Sequence, residues 1–314
     1  MKKLLLLFCA VLSASAMARI IVATTNVDTV DTYEWEVEDL PGGGVEIRGI
    51  DPKPVLEFEI PAAFISADAT YPVKRIAAGA FANSIGLTSI KVPPTVESIG
   101  DFAFSNCTSL AEIKLEYGIR SIGLRPFVNT MLTTIDLPDS LLEMKGNIAA
   151  GCVNDLTINI NEEESHFTMS DDGVLYNKDM TRLYSCPVRQ EGTIKIPDTV
   201  EEIMPDAFFG CFRLSYLTIP SSVTSINSAF AGCSGISSLY IESLADWCGV
   251  ALAPPGAHPF GASEAATRRL FVNGEEVLNN EKGFNGPCVP NSRTVKVHFR
   301  KGKNVITHKI MCPP

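Results

Sequence analysis

The sequence predicts a β-rich (α/β) solenoid of coils about 22–23 residues long, each with a short strand and a turn or short helix. The prediction rests on a recurring isoleucine, an Ala-Phe pair that follows it, and a short alternating apolar segment that closes each copy. Ile76, Ile99 and Ile122 are 23 residues apart, and Ile203 and Ile226 repeat that spacing. Such a period is typical of stacked coils that bury their apolar faces against their neighbours.

The Ala-Phe step places an aromatic ring at one position of each coil. Pro126-Phe127 holds that place in one weaker copy, and a small or thiol side chain follows three residues later in every copy. We expect the ring to fill the space between coils from a compact turn or short helix. The three thiols at this position are Cys107, Cys211 and Cys233, and free cysteine is commonly buried. We therefore predict stacked ladders of Ile, Phe and Cys, with the rings of Phe81, Phe104, Phe127, Phe208 and Phe230.

Each copy ends in a short segment in which apolar residues alternate with polar ones. Alternation over so few residues predicts one strand per coil. A proline follows three of these segments, and it ends the strand because it has no backbone N–H. The five segments are Leu87–Val92, Leu110–Leu115, Leu132–Leu137, Leu214–Ile219 and Ile236–Ile241.

The repeats define the predicted organisation of the chain. Residues 19–53 form a leader, with Ile20–Asp31 expected to be loose, and an N-terminal β-hairpin cap over Tyr33–Glu38 and Val45–Arg48. A solenoid needs such a cap at an open end. The remaining segments are a first repeat block at 54–160, a hairpin insertion at 161–190, a second block at 191–242, a Trp-containing non-repeat segment at 243–278 and an atypical basic tail at 279–314.

Two of these segments have further predicted features. Ser243–Gly249 is expected to be a short helix, and Leu270–Val277 a hairpin with an Asn-Gly turn. The tail has two interpretations that the sequence leaves open. It is either a terminal hairpin cap or a truncated or frame-altered end.

The repeated pattern V-x-x-I-x-x-x-A-F-x-x-C-x-x-L-x-x-l-x-I-P resembles the BspA-type leucine-rich repeat over residues 45–278. Asp172–Lys178 and Leu244–Cys248 are similar to interruptions that recur in that family. The resemblance implies a leucine-rich repeat solenoid of the kind found in bacterial and protist surface proteins. It also implies a role in adhesion to host proteins, cells or neighbouring microbes.

The N-terminus has the form of a secretory signal peptide over residues 1–18. Two lysines precede the apolar run Leu4–Leu12, and small residues offer cleavage near Ala16 or Ala18. The run is too short to span a membrane. We therefore predict an exported protein, secreted or on the cell surface, without a transmembrane span.

The charge is −10 overall and unevenly distributed. Residues 279–314 carry seven basic and one acidic residue, or +6, which leaves 19 basic and 35 acidic residues, or −16, for the rest. An acidic body disfavours nucleic acid as a partner. Four cysteines lie outside the ladder position and leave open whether disulfides form among them: Cys186, Cys248, Cys288 and Cys312.

Motifs for catalysis or for a metal are missing from the sequence. There is no His-Glu-x-x-His, no Gly-x-Ser-x-Gly and no Cys-x-x-Cys. We predict no enzyme activity, cofactor or metal. Two alternatives are a catalytic or carbohydrate-handling module that uses His258, Trp247 or the acidic run 162–164, and a passive structural spacer.

The predicted working surface consists of the outward strand positions and the aromatic residues outside the repeat. Solenoids commonly bind proteins along such an extended face, and exposed Tyr and Trp often anchor interfaces. The expected partner is an extracellular protein or glycoprotein, such as host matrix or the surface of another microbe. The candidate binding residues, all expected to be exposed, are Tyr240, Trp247, Tyr176, Tyr184, Lys91, Lys114 and Asp136.

Overall fold

The computed structural model describes residues 19–24, 32–65, 69–253, 259–260 and 268–280. It is a β-solenoid of about eight turns with almost no helix, which confirms the predicted fold class. The chain divides into two compact units, Met1–His166 and Phe167–Pro314. The first unit contains β1 Arg19–Thr24, β2 Thr32–Asp39, β3 Val45–Asp51, β4 Leu56–Glu59, β5 Ala63–Ile65, β6 Thr70–Ile76, β7 Leu87–Val92, β8 Ser98–Ile99, β9 Glu112–Leu115, β10 Ser121–Ile122, β11 Thr134–Asp136, β12 Glu143–Met144 and β13 Thr157–Asn159.

An antiparallel hairpin begins the first unit, as predicted. β2 pairs with β3, and Trp35 and Val37 are fully buried beneath it. The expectation of a loose leader is wrong for Ile20–Thr24, because the segment Arg19–Thr24 pairs antiparallel with β2 as β1. Residues 25–31 and the proposed signal peptide at 1–18 lie outside the described residues.

Two parallel ladders run through the first unit. The long ladder is the predicted one and contains β4-β7-β9 and β11-β13. A second ladder, which the repeat pattern does not predict, contains β3-β6-β8-β10-β12, and most of its coils contribute only two residues. Its inward residues are the recurring isoleucines, so the core lies between the two ladders. The buried side chains of this second ladder are Ile47, Ile76, Ile99, Ile122 and Met144.

The Ala-Phe step is a turn, not a helix. Two left-handed residues flank it in the second coil, Phe102 with φ 56° and Asn106 with φ 58°. The N–H groups of Phe102, Phe104 and Asn106 each donate to a carbonyl of the next coil at 2.9 Å. The ring of Phe104 stacks between those of Phe81 and Phe127, with centroids 5.3 and 5.8 Å away. The predicted phenylalanine ladder is confirmed.

The second unit contains β14 Phe167–Met169, β15 Leu175–Asn177, β16 Arg182–Ser185, β17 Gly192–Lys195, β18 Glu202–Ile203, β19 Leu214–Ile219, β20 Ser225–Asn227, β21 Ser238–Ile241, α1 Leu244–Gly249, β22 Ala251–Ala253, β23 Arg268–Val272 and β24 Glu275–Asn280. The strands β14, β15 and β16 are antiparallel, as a hairpin insertion predicts. Unexpectedly, β16 then pairs in parallel with β18. The strands β16-β18-β20-β22 form a parallel ladder in this unit, which we call its short ladder. The insertion therefore takes part in the stack.

The long ladder of this unit is β17-β19-β21-β23, and β24 returns antiparallel beside β23. Asn273 and Gly274 both have positive φ, of 49° and 80°, which gives the predicted Asn-Gly turn. The predicted helix is α1, and its N-cap is Ser243. Residues 281–314 of the basic tail lie outside the described residues.

The thiols of the repeat are buried, as expected. Cys107, Cys211 and Cys233 are 0% exposed, and none of the three is in a disulfide. Cys233 Sγ donates to the carbonyl of Phe208 at 2.8 Å. Cys186 is also a buried free thiol, which argues against a disulfide for this residue. The Cys248 side chain, Cys288 and Cys312 lie outside the part that the structure describes.

Candidate binding surface on the long ladder

The outward side chains of the long ladder in the second unit form two rows across four parallel strands. Inward residues such as Leu217 and Leu239 fill the core, and strand alternation turns the residues between them outward, although Ser238 is only 3% exposed. The register aligns the members of each row directly. We name these eight residues the second-unit strand face: Thr193, Tyr216, Ser238 and Arg269 in one row, and Lys195, Thr218, Tyr240 and Phe271 in the other.

Aromatic rings form the centre of this face. Tyr240 stacks on Phe271 with ring centroids 4.3 Å apart and planes 11° from parallel. Both rings are half-buried. Tyr216 is 41% exposed and lies in the row beside them. Hydrophobic ring surface is therefore held open to solvent by rigid strands.

The same face carries two positive charges, Lys195 and Arg269, and the carboxylate of Glu242 lies at its edge, two residues after Tyr240. The side chains of Lys195 and Arg269 are exposed and make no hydrogen bond or ion pair within the described part of the chain. None of the eight residues is acidic. Glu276 lies opposite Phe271 on β24 and is exposed at the end of the row. Glu242 accepts a hydrogen bond from the Ser221 hydroxyl at 2.7 Å. That bond, the Ser221 N–H and more weakly Lys195 lower the pKa of Glu242.

On the strand face of the first unit, the three charged residues predicted to bind have partners within the chain. Lys91 Nζ lies 3.0 Å from Glu59 Oε1, and this contact raises the lysine pKa. Lys114 Nζ lies 3.0 Å from Glu116. Asp136 accepts a hydrogen bond from Asn159 at 2.8 Å. The predicted residues Lys91, Lys114 and Asp136 lie on the face as expected, but each already makes a contact within the chain.

Two of the predicted binding residues are in the core. Tyr176 and Tyr184 are each 2% exposed, so the expectation that they are exposed is wrong. The ring of Tyr184 meets that of Phe167 edge to face at 5.4 Å. Burial raises the pKa of Tyr176. The physical reason is that the insertion joins the short ladder and turns these rings toward the core of the unit.

Trp247 is half-buried rather than exposed. It packs against the core of the second unit from α1. Ser243 Oγ accepts hydrogen bonds from the N–H groups of Ala245 and Asp246, which fixes the start of that helix. Trp247 therefore anchors α1. Of the predicted aromatic residues, the structure places only Tyr240 on the strand face.

The sequence does not single out most of the second-unit strand face, including Lys195, Tyr216, Arg269 and Phe271. The signal that identifies them is register. Aligning Leu217, Leu239 and Leu270 as one inward column brings these residues into line with Tyr240.

The described residues contain no group of three or more His, Cys, Asp or Glu side chains placed to hold a metal ion. His166 is exposed, and His258 lies outside the described residues. Within the same part of the chain, no helix is long and apolar enough to cross a membrane.

The repeats match the model of the BspA type leucine-rich repeat region. Six copies match, over residues 74–190 and 183–247, which is more than half of the chain. The chain therefore belongs to the BspA-type leucine-rich repeat family. This confirms the resemblance seen in the sequence.

Solved structures of bacterial leucine-rich repeat proteins are similar to this chain. The pneumococcal vaccine antigen PcpA is 18% identical, with a TM-score of 0.47, over 71% of this chain and 72% of the antigen. A leucine-rich repeat protein of T. pallidum is 23% identical, with a TM-score of 0.39, over 65% and 78%. One from Eubacterium ventriosum is 20% identical, with a TM-score of 0.42, over 67% and 70%. No curated protein matched the sequence.

Proposed function

We propose that this chain is an exported, non-catalytic adhesion protein that binds an extracellular protein or glycoprotein through the second-unit strand face. The observation that carries the proposal is the combination of Tyr216, Tyr240, Lys195 and Arg269 on rigid strands with no carboxylate among them. Membership of a leucine-rich repeat family supports a role in protein interaction or adhesion.

The chemistry of this face suits a macromolecular partner. Tyrosine and arginine are enriched among the residues that dominate interface energies. Their side chains combine apolar area with hydrogen-bond donors. Because Lys195 and Arg269 have no ion-pair partner within the described residues, a ligand carboxylate does not have to displace one. The first-unit face lacks this property, since Lys91 and Lys114 are paired.

A binding assay with matched variants tests the proposal. The purified full chain is applied to a panel of immobilised extracellular matrix glycoproteins. We expect Tyr216→Ala and Arg269→Ala to weaken binding at least about tenfold each, as truncation of interface anchors does. Thr134→Ala and Lys114→Ala, on the first-unit face, serve as controls and should leave binding unchanged.

Circular dichroism confirms that all four variants are folded. Binding that survives both second-unit substitutions, or falls equally in the controls, would remove this face from the proposal. Turnover in a hydrolase screen that His166→Ala abolishes would contradict the non-catalytic assignment.

Export is a separate part of the proposal and has its own test. The Lys-Lys start, the apolar run and the small residues at Ala16 and Ala18 support a cleaved signal peptide. N-terminal sequencing of protein recovered from the cell surface or medium should find a chain that begins at Met17 or Arg19. Recovery only from the cell interior, with Met1 retained, would contradict it.

A further inference from the structure

On the second-unit strand face the short side chain of Thr218 lies between two longer ones, and we name the space above it the Thr218 slot. In register, Thr218 lies between Lys195 on β17 and Tyr240 on β21, and Tyr216 precedes it on β19. Neighbouring strands are about 4.8 Å apart, which separates the backbones of Lys195 and Tyr240 by about 9.6 Å. The threonine side chain is much shorter than its neighbours, so it forms the floor of the slot.

One wall of the slot is an aromatic ring face. Phe271 covers one side of the Tyr240 ring at 4.3 Å, in nearly parallel planes. The opposite ring face is therefore directed away from β23, toward the strand that carries Thr218. A ligand ring in van der Waals contact with that face, about 3.5–4 Å away, lies over Thr218. It becomes the third member of the stack.

The other boundaries of the slot are polar. Lys195 provides an ammonium group, and Thr218, Thr193 and Tyr216 provide hydroxyls, all at outward positions of the same two strands. A phenyl ring from a protein side chain would satisfy the Tyr240 face but leave these donors without partners, which is unfavourable when they are desolvated. A pyranose ring has an apolar C–H face and peripheral hydroxyls that pair with both kinds of wall.

The charges on the strand face select the kind of sugar and the orientation in which it binds. The face carries two cations, Lys195 and Arg269, against one carboxylate at its edge, Glu242, whose Oε2 accepts hydrogen bonds from Ser221, so an anionic ligand is favoured over a neutral one. Glu276, beside Phe271 on β24, lies at the far end of the row from Lys195. A ligand carboxylate is thus repelled from one end of the row and attracted to the other.

We propose that the Thr218 slot binds a pyranose sugar that carries a carboxylate, of the hexuronic acid class, as part of an extracellular glycan. The inference rests on the proposed function, because it names the ligand chemistry of the same surface. Tyr240 stacks on the sugar ring, and Lys195 pairs with its carboxylate.

The test uses methyl β-D-glucuronide as the probe and methyl β-D-glucoside as its neutral counterpart. Binding of each to the full chain is followed by saturation-transfer NMR and calorimetry. We expect a clear preference for the glucuronide that declines with added salt. Tyr240→Ala should weaken glucuronide binding about tenfold, the size of a lost desolvated ring contact. Lys195→Gln should make the affinities for the two probes nearly equal.

A filling variant separates the slot from the rest of the face. Thr218→Tyr adds a ring where the ligand ring lies and should abolish glucuronide binding. Thr157→Tyr makes the same change at an exposed strand position of the first unit and should have no effect. Equal binding of the two probes by the natural chain, or unchanged binding in Thr218→Tyr, would overturn the inference. Preferential binding of N-acetyl-tyrosinamide in the slot would also overturn it and assign the slot to a protein side chain.

The outcome is distinguishable from a failure of the proposed function. Glycoprotein binding that depends on Tyr216 and Arg269 but is insensitive to Thr218→Tyr and to excess glucuronide would leave the adhesion proposal intact and reject the sugar slot. Glucuronide binding without any glycoprotein binding would retain the slot and reject the matrix partner.

Discussion

Asn129 donates a hydrogen bond from Nδ2 to Oδ1 of Asn106 at 2.7 Å, and Asn106 in turn donates to Asn83 at 3.2 Å. The three asparagines occupy the same position in successive coils and have φ of 60°, 58° and 64°. Asparagine tolerates this left-handed conformation better than other non-glycine residues do. Equivalent positions in other coils carry glycine with positive φ, at Gly151, Gly210 and Gly232.

Substitution of Asn106 should separate two contributions to stability: the side-chain hydrogen bonds between the asparagines and the left-handed backbone conformation. Asn106→Gly keeps the backbone conformation and removes two side-chain hydrogen bonds, each contributing about 0.5–1.5 kcal/mol. Asn106→Ala removes the same bonds and adds the left-handed penalty of about 1–2 kcal/mol. In urea denaturation of the full chain, the free energy of unfolding should therefore be highest with Asn106, lower for Asn106→Gly and lowest for Asn106→Ala. Equal losses in the two variants would show that the backbone conformation contributes little.

Removal of the central ring of the phenylalanine stack should be strongly destabilising. Phe104 is fully buried between Phe81 and Phe127, so Phe104→Ala leaves a cavity and should lower the free energy of unfolding by about 3–5 kcal/mol. Phe102→Ala is the matched control. Phe102 lies two residues away and is 41% exposed, so Phe102→Ala should lower the free energy of unfolding by no more than about 1 kcal/mol. Equal losses of stability for the two variants in thermal unfolding would contradict the conclusion that the stacked rings stabilise the core.

Gly118 has no room for a side chain. Its φ is +144°, and a Cβ atom would lie 2.0 Å from the carbonyl oxygen of Pro94 on the preceding coil. Gly118→Ala should therefore lower stability by more than about 2 kcal/mol, because the backbone of one coil must shift. At Gly42, a Cβ atom would meet nothing within 4 Å, and Gly42→Ala should be nearly neutral. Chemical denaturation of both variants checks the difference, and a tolerated Gly118→Ala would show that the coils can separate locally.

The buried thiols predict a loss of stability at alkaline pH. Burial raises the pKa of Cys107 from its usual 9.0 to about 11. Below pH 9 the thiol is protonated in both states, whereas between pH 9 and 11 the unfolded chain loses the proton and the folded chain retains it. The free energy of unfolding should therefore fall as the pH rises through this range. Denaturation at pH 8, 9, 10 and 11 measures the slope.

Cys107→Ser is the control, since the equivalent position of the preceding coil is a buried serine, Ser84. This variant should fold and show a shallower decline above pH 9. An unchanged slope would mean that Cys107 does not cause the decline. In the natural chain at pH 7, Cys107 should also react slowly with a thiol reagent compared with the denatured chain, because its thiolate is scarce.

The repeated core could be predicted from the sequence, whereas the site depends on register. Ile99, Phe104 and Cys107 recur at fixed spacing because identical positions must stack, and that periodicity is visible in one sequence. The two-residue strand at Ser98–Ile99 was missed because so short a segment shows no alternation. Tyr176 was assigned to the surface because local alternation does not tell which side of a hairpin meets the core. Only pairing of the insertion with β18 decides that question.

The Thr218 slot was missed for a related reason. Tyr216 and Tyr240 belong to recognisable repeats, but Phe271 is separated from them by a non-repeat segment. The pairing of β21 with β23, which brings Phe271 onto Tyr240, is a property of the folded stack. The chemistry of the face was therefore present in the sequence, but its arrangement was not.

The ladder of hydrogen bonds between the Ala-Phe turns of successive coils gives the first unit an electric dipole along its stacking direction. The N–H groups of Phe102, Phe104 and Asn106 all donate toward the C-terminal neighbour, and the accepting carbonyls face the N-terminal one. Peptide dipoles aligned in this way add, but in the sense opposite to an α-helix, whose N–H groups face its N-terminus. The N-terminal end of the ladder is consequently the negative end, and Lys53 Nζ lies there, 3.3 Å from the carbonyl oxygen of Ala80. Caps for the two ends of such a stack are therefore not interchangeable: one end selects cations, and the other selects acceptors and anions.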